Sequence, residues 1–427
     1  MEEKSSQYYQ HSRNLRLSCP ALDGDESADI CIIGGGLTGV SSAYHSARRG
    51  LKVILLEAQD IGFGASGRNG GQVSPGQRLD QATLENKGGL ELAQQLWQLA
   101  LDSVDLVRDL IDRHQIDCDF VPGILHTAFK PSHAEEMRAN VAKLNGEYHY
   151  QDVRFVDKDE LRSMLATERY HGAELDMRAG HLHPLNLTLG IAKEAQLAGA
   201  RLCEHSRATA IKESADGVIV ETAQGKVRAK HLVVGCNGYL GGLLPKVAGK
   251  IMPINNFIVT TEPLGEAKAR ELIRDNVAVA DSKFVINYFR TTPDHRLLFG
   301  GGENYSSRFP ADIKSFVRSY MLEIFPQLKD VRLEHGWGGT LAITLNRMPH
   351  FQCLNKKIYV AQGYSGHGIA LATLAGKLID DAIHGDSRGF DALARYPTPS
   401  FPGGTWLRYP GLVMGMLYYA LRDRLGN

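Results

Sequence analysis

Gly34-Gly35-Gly36-Leu37-Thr38-Gly39 sets three glycines at the spacing G-x-G-x-x-G. That spacing answers the needs of a bound dinucleotide. Gly34 permits a tight turn, Gly36 lets backbone approach the pyrophosphate, and Gly39 lets a helix pack closely on a strand. Leu37 and Thr38 would open that helix, with free N–H groups directed at the phosphates. Glu57-Ala58 ends the next apolar run. A carboxylate there can accept hydrogen bonds from the ribose hydroxyls. A second glycine-rich, polar run follows at once, from Gly62 to Gln72.

The elements around these residues supply the context. Asp29 to Ile33 reads as a strand, Thr38 to Arg49 as a helix closed by Gly50, and Leu51 to Leu56 as a second strand. Together they make a β-turn-α-β unit. Residues 5–28 read as an irregular polar arm and residues 61–76 as a loop. Residues 83–115 read as a helix, with Leu92, Leu96, Leu99 and Leu106 on one apolar stripe. Strand-like runs follow at Ile124–Phe129, Gly217–Thr222, Val227–Val234, Ile254–Thr261, Phe284–Phe289 and Ile358–Ala361. A helix is expected from about Ile369 to Ile383. No internal repeat and no single linker divides the chain. The nucleotide-type unit opens it and a glycine-rich partner closes it, so the cofactor domain is expected to be discontinuous.

Composition bounds the function. The 427 residues suit two or three domains, and 43% hydrophobic with 22% charged residues can form a large core. Lys+Arg and Asp+Glu are both 48, so no basic excess points to a nucleic acid partner. Cys19, Cys31, Cys118, Cys203, Cys236 and Cys353 are scattered, without C-x-x-C or zinc spacing, and no metal is expected. The first residues lack the apolar stretch of a signal peptide. A reducing cytoplasm is the simplest compartment. The apolar run Leu412–Leu421 is too short to span a bilayer. It is read as docking on the protein body or on another subunit rather than in lipid, which leaves a homo-oligomer among the expected partners.

The second glycine run, Gly62-Phe63-Gly64-Ala65-Ser66-Gly67-Arg68-Asn69-Gly70-Gly71-Gln72, resembles a flavin motif of the D-amino-acid oxidase/glycine oxidase/sarcosine oxidase superfamily. In that family the stretch runs along the pyrophosphate to the isoalloxazine ring. Ser66 and Arg68 could bind phosphate or ribityl oxygens, and Asn69, Gly70 and Gly71 could bring backbone close to a flat ring. Other stretches are similar to family landmarks. Ala208 lies in the segment like the adenine-contacting backbone, and Gly235-Cys236 in the strand-end turn near the dinucleotide. Gly363-Tyr364-Ser365-Gly366-His367-Gly368 matches the C-terminal flavin motif. The resemblance implies FAD, and the fold α/β: a glutathione-reductase-like FAD-binding domain with a discontinuous mixed-sheet substrate domain. Residues 1–80, 152–240 and 330–395 are assigned to the first, 81–151 and 241–329 to the second, and 396–427 to a C-terminal extension. With the arm Ser6-Gln7-Tyr8-Tyr9, Gly180-His181-Leu182-His183-Pro184-Leu185-Asn186, Phe401-Pro402-Gly403-Gly404 and the end Leu421-Arg422-Asp423-Arg424-Leu425-Gly426, the chain looks like the bacterial flavin oxidases of putrescine degradation within the superfamily. The activity so implied is oxidation of a terminal primary amine, with γ-glutamylputrescine as first choice and O2 as acceptor, giving aldehyde, ammonia and hydrogen peroxide.

One departure sharpens that expectation. Amino-acid oxidases of the superfamily follow Trp-x-Gly with an Arg that clamps the α-carboxylate. Here, in Trp337-Gly338-Gly339-Thr340-Leu341, the matching position holds Leu341. Leucine cannot form the bidentate pair, so an aliphatic amine is favoured over an amino acid. Gly339 falls among the cofactor-contacting positions, and Arg347 is either a second source of charge or a structural arginine. The stretch has no cysteine for a covalent flavin bond, and Cys353 lies beyond it, so FAD is expected to be non-covalent. Tyr288 or Phe289 is expected to roof the flavin, and strand alternation allows only one of them inward. His367 could hydrogen-bond the ring, carry a positive charge for oxygen activation, or cap a helix. His181 and His183 precede Pro184 and read as structural. Arg290, Arg296 and Arg308 could read a distal carboxylate. Two rival functions stay open: an amino-acid dehydrogenase passing electrons to quinone, and a non-catalytic FAD-binding assembly factor.

Overall fold

Ile30–Ile33 and Val53–Leu56 are unbroken apolar runs, and such runs suit parallel strands covered on both faces. In the computed structural model, which describes residues 7–304 and 308–405, they form the centre of the first sheet. That sheet holds β1 (Glu26–Ile33), β2 (Val53–Leu56), β7 (Arg201–Cys203), β8 (Ala210–Ser214), β9 (Gly217–Glu221), β10 (Lys226–Val234), β16 (His350–Leu354) and β17 (Ile358–Gln362). Its order is β16-β17-β10-β1-β2-β7, with β9 pairing β10 and β8 pairing β9. β1 runs parallel to both β2 and β10. The helices Leu37–Arg48 and Ile369–Ile383 cover one face, where Ile30, Ile32, Val53 and Leu55 join the largest core cluster. Gly39 fixes how closely the first helix sits: a Cβ there would lie 1.9 Å from the Gly34 carbonyl oxygen.

The second sheet holds β3 (Gln72–Val73), β4 (Val121–Thr127), β5 (Val153–Val156), β6 (Ala173–His181), β11 (Met252–Thr261), β12 (Ala278–Asp281), β13 (Tyr288–Thr291), β14 (Leu297–Asn304) and β15 (Leu333–Ile343). The order is β15-β11-β14-β13-β12-β4-β6-β3, with β5 on β6. One face is a second core, where Leu125, Leu175, Phe257, Val279, Phe289 and Phe299 meet Val317 and Met321 of the helix Ile313–Ile324. The opposite face looks toward the glycine-rich segments of the first unit.

Several boundaries differ from the sequence reading. β5, β6 and β15 belong to the second sheet, although 152–240 and 330–395 were expected to serve the cofactor domain. Strand pairing over long separations decides this, and local pattern does not carry it. The helix expected over 83–115 is two, Gln81–Gly88 and Leu90–His114, broken at Gly89 with φ +83°. Its stripe, Leu92 and Leu96 buried with Leu99 and Leu106 at the margin, packs into the first core. The strand expected over Phe284–Phe289 is confined to Tyr288–Thr291. Asn287 donates from its backbone N–H and its Nδ2 to the Asp281 carboxylate, both at 2.9 Å, and holds the preceding residues as a loop. Among the described residues no helix is long and apolar enough to cross a membrane. The run Leu412–Leu421, and residues 406–427 of the extension, lie outside the described residues.

Candidate active site

The dinucleotide fingerprint folds as a cradle. Glu57, half-buried just past β2, accepts the Gly35 N–H at 2.7 Å on Oε2 and the Gln59 N–H at 2.8 Å on Oε1. Burial raises its carboxyl above the usual range, against the pull of those N–H groups. Each carboxylate oxygen keeps a lone pair for a ribose hydroxyl. Ser66 Oγ accepts the Leu37 N–H at 2.9 Å, so a hydroxyl stands where the helix begins. Thr38 Oγ1 lies 2.7 Å from the Tyr364 hydroxyl, which ties that helix to the C-terminal glycine motif. Gly235 donates its N–H to Ile33 O at 2.9 Å and abuts Gly34. Cys236 and Ala208 pack on the far side of the same sheet, against the cluster of Val218, Val220 and Val234. Burial, then the nearby Glu57, pushes the Cys236 thiol up to about 12, so it stays protonated. A helix N-terminus, a half-buried ribose acceptor and a glycine-lined turn are the donor set an FAD dinucleotide needs, and these residues fit it.

The second glycine run is held from behind. Asn69 Nδ2 donates to Ala65 O and Ser66 O, while its Oδ1 accepts the Gly71 N–H at 2.8 Å. Arg68 is buried. Its Nε donates to Phe63 O at 2.7 Å and its Nη1 to Gly338 O at 3.0 Å. It therefore splices the run onto β15. Gln72 Nε2 donates to Val279 O and fastens the run to β12. The arm read as irregular and polar supplies a clasp that the sequence reading missed. Gln7 Nε2 donates to Gly67 O at 2.7 Å, and the Tyr9 hydroxyl to Asn69 O at 2.9 Å. Arg290, 2% exposed, donates to Gly70 O, Leu182 O, Thr291 O and the Tyr9 hydroxyl. The adjacent aromatics Tyr8 and Tyr9 were the available signal, since two such side chains rarely stay in solvent together.

Over this run the second sheet lays one row of side chains. Register pairs Glu174 with His126, His126 with Ala280, Ala280 with Tyr288, Tyr288 with Gly300, Gly300 with Ile258 and Ile258 with Trp337. Paired residues share a face, and the intervening Leu175, Leu125, Val279, Phe289, Phe299 and Phe257 fill the core behind. Trp337 Nε1 donates to Arg68 O at 3.1 Å. Tyr288 lies against Gly70, where a Cβ would come within 2.6 Å of the ring, and its hydroxyl donates to Asn256 Oδ1. Alternation thus turns Tyr288, and not Phe289, toward the second glycine run. Phe289 is a correction: it stacks on Phe299 at 5.7 Å, on the face away from the site.

Residues 29–382 match the family DAO, FAD dependent oxidoreductase. The chain belongs to the DAO family. It is an FAD-dependent oxidoreductase with an FAD-binding fold. It is 42% identical to γ-glutamylputrescine oxidoreductase of Escherichia coli over 430 residues, covering 100% of each chain. It is 40% identical to the probable oxidoreductase OrdL of Rhizobium meliloti, over 95% of this chain and 94% of that protein. Among solved structures, glycine oxidase from Geobacillus kaustophilus superposes with a TM-score of 0.70 at 22% identity, covering 84% of this chain and 95% of that one.

The remaining candidates fall at the edge of this DAO-family site or outside it. The Gly363–Gly368 motif sits before the helix Ile369–Ile383, with Gly368 as its N-cap. Gly363 donates to Asn237 Oδ1 at 2.9 Å, and Ser365 and Gly366 have φ of +54° and +86°. His367 Nε2 lies 3.1 Å from Ser74 O, so that nitrogen carries the proton. Burial first, and Arg78 second, push its pKa down to about 4. That shift disfavours the positive charge considered for oxygen activation. Gly339 lies against Arg68. Leu341 packs with Met252, Ile254, Ile343 and Phe401. The Arg347 guanidinium sits 5.5 Å above the Phe284 ring. Arg290 and Arg296 do not read substrate: the first is consumed as above, and the second is held by Asp294, Glu334 and Thr261 O. Arg308 is exposed. His183 caps the helix Pro184–Leu197 through Nδ1 and Asn186 N–H, the structural role expected. His181 Nε2 meets Asn276 O at 2.7 Å.

Proposed function

We propose that this DAO-family enzyme oxidises the terminal CH2–NH2 group of an aliphatic amine in the cytoplasm, with γ-glutamylputrescine as first substrate and O2 as acceptor. The balance is R–CH2–NH2 + O2 + H2O → R–CHO + NH3 + H2O2. When bound, FAD supplies the two-electron acceptor for the hydride that leaves the amine carbon. The chain's own residues orient and exclude water. Tyr288 and Trp337 wall the reacting space with aromatic surface, and the clasp of Gln7, Tyr9 and Arg290 holds the backbone beneath it. Neutral His367 and His126 put no positive charge beside the amine, whose nitrogen must lose its proton before the carbon is oxidised.

Leu341 carries this reading. It occupies the position where amino-acid oxidases of the superfamily place a carboxylate-clamping arginine, and its neighbours are Met252, Ile254, Ile343 and Phe401. A charge-assisted hydrogen bond is worth about 1.5–3 kcal/mol, and a leucine at that position offers a carboxylate none. The 42% identity to γ-glutamylputrescine oxidoreductase over the whole chain supports the same substrate. The absence of a cysteine from Trp337 to Pro349, with Cys353 exposed on β16, supports non-covalent FAD. The test is kcat/KM, read as peroxide release, for γ-glutamylputrescine beside glycine and D-alanine. The amine should lead by at least about a hundredfold, the ratio that about 2.7 kcal/mol gives. Amino acids that match it, or turnover only with a quinone, would replace this reading with the amino-acid dehydrogenase.

A further inference from the structure

The row of side chains that passes over the flavin-motif segment does not end at His126. It runs on through Glu174 to Phe155 of β5, and Glu174 lines a cavity of about 480 Å³ between the sheet and the helices Gln81–Gly88 and Pro131–Glu147, with Asp80, His133, Glu136, Asn140, Lys143 and Ser282 in its wall. Glu174 Oε1 accepts Asn140 Nδ2 at 2.9 Å. Among the described residues no cation pairs with it. Lys143, the cation in the same wall, is engaged by Glu85 at 2.9 Å and Glu147 at 2.6 Å. His133 faces Ser282 Oγ at 2.6 Å. An ionised carboxylate held in such a place lacks the partner that buried charges require. Burial in fact holds the Glu174 carboxyl up to about 7.

We propose that the cavity beside Glu174 receives the far end of the substrate, and that what Glu174 binds there is a distal ammonium group. This rests on the amine-oxidase reading above. Length supports it. Three strand spacings separate Glu174 from Tyr288, about 14 Å. Nine bonds link the oxidised carbon of γ-glutamylputrescine to its α-nitrogen, and at roughly 1.2 Å of extension per bond they span about 11 Å. Such a chain would run from Glu174 past His126 and over Ala280 toward Tyr288, whose ring leans over Gly300. Ala280 is the smallest side chain in that stretch of the row. His126 does not repel the ammonium, because burial and then His367 and Arg78 keep it neutral, with its pKa down to about 4. The second amine of a polyamine offers Glu174 an ammonium as the glutamyl cap does, without the α-carboxylate that stands beside it on the cap.

The holoenzyme tests this with matched pairs. N-glutarylputrescine is γ-glutamylputrescine without the α-amine. Its KM should be at least tenfold higher, with kcat within about twofold. γ-Glutamylbutylamide and glutarylbutylamide carry no oxidisable amine. Their dissociation constants, read from the flavin spectrum or by calorimetry, should differ by the same tenfold. Glu174→Gln keeps an acceptor for Asn140 and should bring each pair within twofold. Spermidine beside its N-acetylated form names the source: equal discrimination marks a general ammonium site, weaker discrimination a glutamyl-selective one, and either supports the cavity. Pairs that already bind equally in the native enzyme, or that keep their gap in Glu174→Gln, overturn the proposal. If neither amine is oxidised while the butylamides still differ tenfold and Glu174→Gln closes that gap, the amine-oxidase reading fails and the ammonium site stands.

Discussion

The first sheet is apolar on both faces. Ile30, Ile32, Val53, Leu55 and Val233 point to one core, and Cys31, Ile33, Ile54, Leu56 and Val234 to another. The second sheet is apolar on one face only. Behind it lie Phe289, Phe299 and Phe257, while its front carries Glu174, His126 and Tyr288 between smaller or apolar neighbours. The division of labour follows from what each environment can do. A sheet buried on both faces is dense and resists deformation, which suits a scaffold that must hold a large cofactor in one place. A face that keeps polar side chains under partial burial shifts their protonation and gives them directional bonds. Specificity can then change on that face without disturbing the scaffold.

The sharpest way to break this comparison is at the scaffold. Gly39→Val puts a branched side chain where even a Cβ would lie 1.9 Å from Gly34 O. No correctly folded yellow protein should be recovered. Normal FAD content in the purified variant would show that the first sheet tolerates what its packing forbids. Next comes the joint between the two units. Arg290→Lys removes the fork that serves Gly70 O, Leu182 O, Thr291 O and Tyr9. Lysine cannot reproduce a planar fork, and the acceptors left behind should cost about 3 kcal/mol in denaturant unfolding. A loss under about 1 kcal/mol would demote the clasp.

Glu57→Ala acts within the scaffold but on the cofactor alone. It deletes the ribose acceptor and frees the Gly35 N–H. Hydrogen bonds to a charged group are worth about 1.5–3 kcal/mol, so FAD should dissociate on the order of ten to a hundred times more readily. Unchanged retention in fluorimetric titration would remove Glu57 from the site. The smallest effect belongs to the polar face. His126 and His367 stay neutral in the fold, with pKa values pushed to about 4 by burial. Unfolded histidine takes its proton near pH 6.5. Between those values the unfolded state binds more protons, so the contribution is fully present above about pH 6.5 and falls as pH drops toward 4. Replacing both by Gln should therefore shrink the fall in Tm between about pH 7 and pH 5. A steeper fall would mean that one of them is charged in the fold.

The cofactor unit was legible because its determinants are local. Gly34, Gly36, Gly39 and Glu57 sit within one β-turn-α-β unit, and their spacing alone brings them to one point. The Gly363 motif was legible for the same reason: its glycines directly precede the helix they cap. The arm was read as irregular because its partners, Gly67, Asn69 and Arg290, lie far along the chain. Arg68 was read as able to bind phosphate or ribityl oxygens because its type allows that, and only packing shows its bonds to Phe63 O and Gly338 O.

The reacting face shows most plainly where sequence stops. Alternation around Tyr288 and Phe289 said that one of them faces inward, and nothing local said which. Polar Glu174 and Asp176 alternate with Leu175 in β6, so a two-sided strand could be read there, yet its partners could not. Glu174, His126, Ala280, Tyr288, Gly300, Ile258 and Trp337 come from seven strands spread over residues 121–343. Register across the sheet makes them one row, and a slip of one residue would turn any of them into the core. Sequence by itself determined that a dinucleotide is bound and at which turn, because those contacts are close along the chain. Tertiary structure decided what stands over it, because strand register is set by long-range burial of the apolar face.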